Sequence, residues 1–128
     1  MRIMGLDIGD KRIGVAVSDE NVTMAFPHSV IANDRRIVDS LKKIIKDKNI
    51  SKIVAGIPRN LKGDIGHQGK KVEAFIEENI KPLGLPVINY DERFTTKICA
   101  KEMGKGGKDI DKFSASIILN DYLSQYEK

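Results

Sequence analysis

The chain has 128 residues, 41% hydrophobic and 31% charged, the balance of a soluble globular domain rather than a disordered or fibrous one. No apolar run approaches the ~20 residues that a membrane-spanning helix needs, and the single Cys99 excludes an internal disulfide or a cysteine zinc cluster. A net charge of +4 and a pI near 9.2 favour a polyanionic partner.

That length suits one domain with its own core, taken here as residues 1–128. The first residues reach Asp7 without an apolar h-region or a small-residue cleavage site, so the expected location is the cytoplasm and no membrane partner is expected. Met1 to Leu6 forms a first strand ending on Asp7. Gly9-Asp10-Lys11 has turn chemistry, with a glycine that permits positive φ. Ile13, Val15 and Val17 then recur at period two, so the opening predicts a β-hairpin.

Asn21 to Ile31, with Pro27 inside, reads as a third strand at an edge, because proline lacks a ladder donor. Asn33-Asp34 offers an N-cap for an amphipathic helix to Lys48, whose stripe is Ile37, Val38, Leu41, Ile44 and Ile45. Lys52 to Pro58 is almost continuously apolar, as in a strand buried on both faces. A polar loop, Pro58 to Gly66, leads to a helix with Val72, Phe75, Ile76 and Ile80 inward, stopped by Pro82 and Gly84. Pro86 to Tyr90 is a strand running into Asp91-Glu92-Arg93. Thr95-Thr96 can cap a short helix over Lys97 to Met103. Gly104 to Lys108 is a basic loop, and Asp111 to Tyr126 a last helix with Ala115, Ile118, Leu119, Tyr122 and Leu123 inward. The order βββ-α-β-α-β-α-α predicts an α/β three-layer domain: a mixed central sheet, three antiparallel strands then two parallel ones, flanked by helices.

Three carboxylates fall at element ends. Asp7 closes the first strand, Glu92 follows the last, and Asp111 opens the last helix in line with Ala115, Ile118 and Tyr122. Singly, each has a plain reading: a turn residue, a partner of Arg93, a helix-dipole acid. Together they sit where ligands collect in open α/β sheets. Converging carboxylates repel unless a cation neutralises them, and Mg²⁺ or Mn²⁺ takes such oxygen donors. Cations lie beside each acid: Lys11 and Arg12 after Asp7; Arg59 and Lys62, with the polar Asn60 between them, after the central strand; Arg93 after Glu92; Lys108 and Lys112 around Asp111. Such residues grip phosphate without reading sequence. There is no tryptophan, and Phe26, Phe75 and Phe113 look like core, which favours recognition of backbone and shape over stacking on unpaired bases. His67 and Asp109 read as solvated loop residues.

Gly5-Leu6-Asp7-Ile8-Gly9-Asp10-Lys11-Arg12-Ile13-Gly14-Val15-Ala16-Val17-Ser18-Asp19 resembles the opening of the YqgF family, also called RuvX. Val54 to Gly63, Pro86 to Thr96 and Lys108 to Ala115 resemble its later blocks, in family order and across nearly the whole chain. The resemblance implies an RNase H-like fold, kinship with Holliday junction resolvases, and a nuclease role in maturing the 5′ end of precursor 16S rRNA, with pre-ribosomal particles as partners. It also implies that Asp7, Glu92 and Asp111 form the acidic site. The segment from Thr96 to Asp111 looks short for the family, with Gly104-Lys105-Gly106-Gly107 in place of a longer basic stretch. The chemistry expected is metal-assisted hydrolysis of a phosphodiester, with two divalent ions activating water and stabilising the leaving oxygen.

Four other readings compete. The glycine spacing after Asp7 is not a P-loop, because Val15-Ala16 stands where Lys-Ser/Thr is required. An actin- or hexokinase-type phosphate hairpin also opens Asp-x-Gly after a strand, but those enzymes close two lobes over a nucleotide. A branched-DNA resolvase and a non-catalytic ribosome-assembly factor remain as alternatives on the same fold.

Overall fold

The computed structural model describes residues 1–59, 64–92 and 108–126, with the side chains of 92, 108–112 and 126 outside that description. The strands are β1 (Arg2–Ile8), β2 (Arg12–Ser18), β3 (Ala25–Ala32), β4 (Ile50–Pro58) and β5 (Val87–Glu92). The helices are α1 (Ile37–Lys48), α2 (His67–Phe75) and α3 (Lys108–Tyr126). The strand order is β3-β2-β1-β4-β5, antiparallel from β3 to β1 and parallel from β1 through β4 to β5. This is the mixed sheet expected. The helix expected over 97–103 lies outside the described residues.

Alternation sorts the strands between two cores. Met4, Leu6 and Ile8 of β1, with Ile13, Val15, Ile53, Ala55 and Ile57, pack under α1 and α2. Ile3, Ala16 and Val54 pack on the other face against Ala115, Ile118, Leu119, Tyr122 and Leu123 of α3. β4 feeds both cores, which explains its unbroken apolar run. α1 buries Ile37, Leu41 and Ile44, each contributing about 1.5–3 kcal/mol when fully buried.

Gly5 sets the spacing of the α3 layer. A Cβ there would lie 2.8 Å from Leu119 Cβ and 3.2 Å from the Ala115 carbonyl oxygen. Only a residue without a side chain lets the helix rest directly on β1.

Several local expectations change. β3 starts at Ala25 rather than Asn21, because Asp19 organises the preceding turn: its carboxylate accepts from Thr23 N (2.7 Å), the Thr23 hydroxyl and Met24 N (3.2 Å). The turn holds Val22 at φ 57°. α1 starts at Ile37 with Arg36 at its N-cap. Asp34 instead accepts from Arg36 N at 2.9 Å, and Asn33 reaches back to the β1–β2 turn. The helix after α2 widens into a π-turn over Ile76–Ile80 and tightens over Lys81–Leu83, ending at Gly84 with φ 89°. β5 carries on through Asp91 and Glu92, and α3 begins at Lys108, so Asp109 is helical rather than part of a loop. Phe75 packs against the first core as expected, whereas Phe26 is 50% exposed and is not core.

Two outcomes are expected. Gly5→Ala forces its Cβ into Leu119 and lowers unfolding stability by about 1–3 kcal/mol, as overpacking does; an unchanged urea midpoint would refute the close approach. The Asp19 carboxyl is held below its ordinary value, first by the Thr23 hydroxyl and then by the Thr23 N–H. The unfolded chain takes up that proton at higher pH, so the turn's contribution is present at neutral pH and lost as pH falls through the depressed folded value. Asp19→Asn therefore flattens the acid limb of a stability–pH curve. Parallel curves for variant and wild type would refute the assignment.

Candidate active site at the ends of the parallel strands

Asp7 is the next-to-last residue of β1, paired with Gly14, and is only 6% exposed. It follows Ile3 and Gly5 on the face covered by α3. It lies one residue past the Leu6–Ala55 pair, level with Gly56, which pairs with Tyr90 on β5. Glu92 is two residues beyond Tyr90, at the end of β5 and opposite Pro58. β1 and β5 are two strand spacings apart, roughly 10 Å.

The direction of α3 brings the third acid's position to the same end. Tyr122 lies near Lys52, whose Nζ is 3.4 Å from the Tyr122 hydroxyl, and Lys52 pairs with Ile3. Ala115 and Leu119 lie over Gly5. The helix therefore runs antiparallel to β1. One turn back from Ala115 to position 111 covers roughly 6 Å. Two residues from Gly5 to Asp7 cover roughly 6.6 Å. Backbone position 111 and Asp7 thus stand at about the same level, and Asp111 is the fourth residue of α3. In the next turn Ser114 Oγ is fully buried without a hydrogen-bond partner, an arrangement that costs about 1–3 kcal/mol.

The turn after Asp7 is tied down from β3. Asn33 Nδ2 donates to the Gly9 carbonyl at 2.8 Å, and Asn33 N donates to the Lys11 carbonyl at 2.9 Å. Gly9 N donates to the Arg12 carbonyl at 2.9 Å. A Cβ on Gly9 would meet that same carbonyl oxygen at 2.8 Å, so glycine serves close approach here and not positive φ. Lys11 is exposed on this turn and Arg12 half-buried at the start of β2. Lys71 of α2 braces the turn through Asp10 at 3.3 Å.

Arg59 lies just past β4. Its Nε and Nη2 donate to Asp91 Oδ1 at 3.0 and 2.7 Å. The partner is the residue before Glu92, so the pair links the ends of β4 and β5 and aims the guanidinium. It is partly exposed and contributes little stability, about 0–1 kcal/mol. Asn60, Lys62 and Arg93 lie outside the described residues. Lys108 and Lys112 occupy the first turns of α3 as backbone, with side chains outside the description. His67 is exposed at the start of α2.

Of the three acids, the side chain of Asp7 alone is described, and among the described residues no three His, Cys, Asp or Glu side chains gather. The one described acid fits a hard divalent cation: Asp7 is a buried carboxylate, an oxygen donor of the kind Mg²⁺ and Mn²⁺ prefer. Sequence reading missed Asn33 and Asp91. Asn33 looked like a helix cap because it precedes α1; Asp91 looked like a neighbour of the acid rather than a partner of Arg59.

The nearby fold comparisons agree with this architecture. Thermus thermophilus RuvC, solved in complex with a Holliday junction substrate, superposes with a TM-score of 0.59 at 10% identity, covering 100% of this chain and 97% of that one. The fowlpox virus Holliday junction resolvase gives 0.50 at 14% identity, covering 98% and 99%. At such identities the likeness is one of fold, the RNase H-like fold of RuvC-type resolvases. Among sequences, a Desulforamulus reducens protein named "Putative pre-16S rRNA nuclease" is 41% identical over 137 residues, covering 100% of both chains. A protein of the same name from Caldanaerobacter subterraneus subsp. tengcongensis is 41% identical over 133 residues, covering 96% of each. Residues 1–125 match the family described as "RuvX: Holliday junction resolvase". With relatives aligned end to end and the family pattern running from β1 into the last turn of α3, this chain belongs to the RuvX family.

Proposed function

We propose that this chain is a hydrolase of nucleic-acid phosphodiester bonds, a nuclease acting in the cytoplasm on the 5′ end of precursor 16S rRNA within pre-ribosomal particles. Residues 1–128 serve as one RNase H-like nuclease domain in this reading. The observation that carries it is the buried Asp7 carboxylate, level with position 111 of α3, at the end of the sheet where β1, β4 and β5 finish. The names of the family and of the end-to-end relatives support it.

Asp7, Glu92 and Asp111 would hold Mg²⁺ or Mn²⁺, and such ions supply an activated water and neutralise charge on the leaving oxygen. The chain's own part is positional. Burial holds Asp7 in one place and keeps bulk water from it. The clamped β1–β2 turn presents Lys11 and Arg12 beside Asp7, where cations meet phosphate. Asp91 fixes the Arg59 guanidinium at the neighbouring strand ends, ready to donate its remaining N–H groups to a phosphate oxygen. Asn60, Lys62, Arg93, Lys108 and Lys112 extend the cationic rim in this reading.

A branched DNA substrate is the second reading, favoured by the fold shared with RuvC in its junction complex. The test compares wild type and Asp7→Asn on a precursor 16S rRNA fragment and on a four-way DNA junction, with Mg²⁺ or with chelator. Wild type cuts one of them only with metal, and Asp7→Asn loses at least about 10²-fold in rate, the scale of removing one electrostatic group at a reacting centre. Equal cutting by both proteins overturns the role of Asp7. Binding without cutting by either protein leaves an assembly factor in place of a nuclease.

A further inference from the structure

The face of the sheet opposite α3 carries features that the candidate active site does not use. A groove runs between edge strand β3 and α1. One part is a cavity of about 310 Å³ between Ser29 and Ile31 of β3 and Ser40 and Lys43 of α1. A second, of about 330 Å³, continues past Phe26 toward Arg2. His28 and Lys48 line both, so the two adjoin. Its Ile31 end pairs with Ile13, the residue opposite Ile8, and so opens at the same end of the sheet as Asp7 and the clamped turn.

The floor offers flat rings. Phe26 is 50% exposed and belongs to neither core. His28 is the extra residue of a bulge, since Val15 pairs with Ser29 and Ala16 with Pro27. Bulges re-aim a side chain. His28 Nδ1 lies 2.8 Å from Ser29 Oγ. Partial burial, and then the nearby Lys48 charge, keep its imidazole below the ordinary value, so it is a mostly neutral ring at pH 7.

The wall is cationic. From Asp34 to Lys48 the chain carries Arg35, Arg36, Lys42, Lys43, Lys46 and Lys48 against Asp34, Asp39 and Asp47, which is most of the net charge of +4. All six cations are exposed, and none forms an ion pair among the described residues. Of these, Lys43 and Lys48 line the groove, together with Arg2 and the carboxylates of Asp47 and Asp19; exposed lysines free of ion pairs beside exposed rings match a polyanion with flat apolar faces. A peptide strand is the poorer fit to this edge, because Pro27 has no N–H and the bulge at His28 breaks the register that pairing needs. A duplex fits poorly too, since its bases are already stacked on one another.

We infer that the β3–α1 groove binds an unpaired stretch of nucleic acid, with a base stacked on Phe26 and phosphates held by Lys43 and Lys48. This rests on the nucleic-acid reading above and adds a second contact surface, away from Asp7 but opening at the same end of the sheet. A strand leaving the cleavage centre passes the exposed Lys11, then Arg35 and Arg36, and enters the groove at Ile31. Substrates with a single-stranded flank are then held in preference to blunt ones.

The test is binding rather than cleavage. It uses a labelled oligouridylate, a duplex of equal length and inorganic polyphosphate. Phe26→Ala weakens oligouridylate binding roughly 5- to 150-fold, the loss of one stacked base. Lys43→Gln with Lys48→Gln lowers the salt exponent by about 1.4, or ~0.7 for each contact to a single strand. Phe26→Trp keeps the site and introduces the one indole of a chain that has no tryptophan. Its fluorescence is quenched by oligouridylate and not by polyphosphate or duplex. If wild type binds oligouridylate and neither Phe26 nor the lysines matter, the groove is overturned while the nuclease reading stands. If wild type binds no nucleic acid, both fall. Quenching of the Phe26→Trp protein by self-association without nucleic acid makes a second copy the occupant and overturns the proposal.

Discussion

The contact between α3 and β1 at Gly5 governs the rest of the structure. Backbone against side chain, it leaves no room for even a methyl group. Because the helix cannot slide outward without opening a void in the second core, its height over the sheet is fixed. Its register along β1 is fixed as well, since Ala115 and Leu119 straddle the same glycine. Those two restraints decide that position 111 comes level with Asp7. Tyr122 near Lys52, and the two bonds of Asn120 with the Ala25 backbone at 2.7 and 3.1 Å, pin the other end of the helix to β4 and β3. Two acids more than a hundred residues apart in sequence are thus brought to one level by packing, with no direct bond between them required.

A second set of restraints acts on the turn. A two-strand hairpin end is free to twist, and a carboxylate next to it would share that freedom. Asn33 removes it by occupying two carbonyls of the turn at once, and the Gly9 N–H closes the turn from inside. The edge strand therefore steadies the turn beside Asp7 through the side chain and backbone N–H of the residue that follows it. Arg59 and Asp91 do the corresponding work across β4 and β5.

Much of this was legible in the sequence for a physical reason. Burial on one face writes period two or 3.6 into a chain, so the strand order's antiparallel and parallel halves and the inward stripe of α3 could be read directly from spacing. That Asp7 and Glu92 fall at the ends of their strands could be read because the strand pattern stops there. What could not be read was the use of polar residues whose chemistry serves several ends. Asn33, Asp34 and Asp19 are all good caps by type; only tertiary context makes Asn33 a clamp, Asp34 a local turn and Asp19 the organiser of the β2–β3 turn. Gly9 suggested positive φ and is used for a close approach. Phe26 suggested core because most phenylalanines are; an edge strand next to a proline and a bulge has no second layer there to cover it.

That exposed ring changes how the charge of the chain is understood. With Phe26 in the core, the cations would serve backbone recognition alone, around the acids. With Phe26 outside, α1 acquires a purpose that its amphipathic pattern does not explain. An amphipathic helix needs a polar outer face, but mixed charge satisfies that need with less self-repulsion than four lysines against two aspartates. The excess lies beside a groove, and the groove opens toward the clamped turn. In the proposed reading the two faces of the sheet divide the work: the α3 face carries the buried Asp7 carboxylate of the cleavage centre, and the α1 face the groove for a strand that has passed the turn. β3 connects them, since the same strand that floors the groove leads directly into Asn33, the residue that steadies the turn beside Asp7.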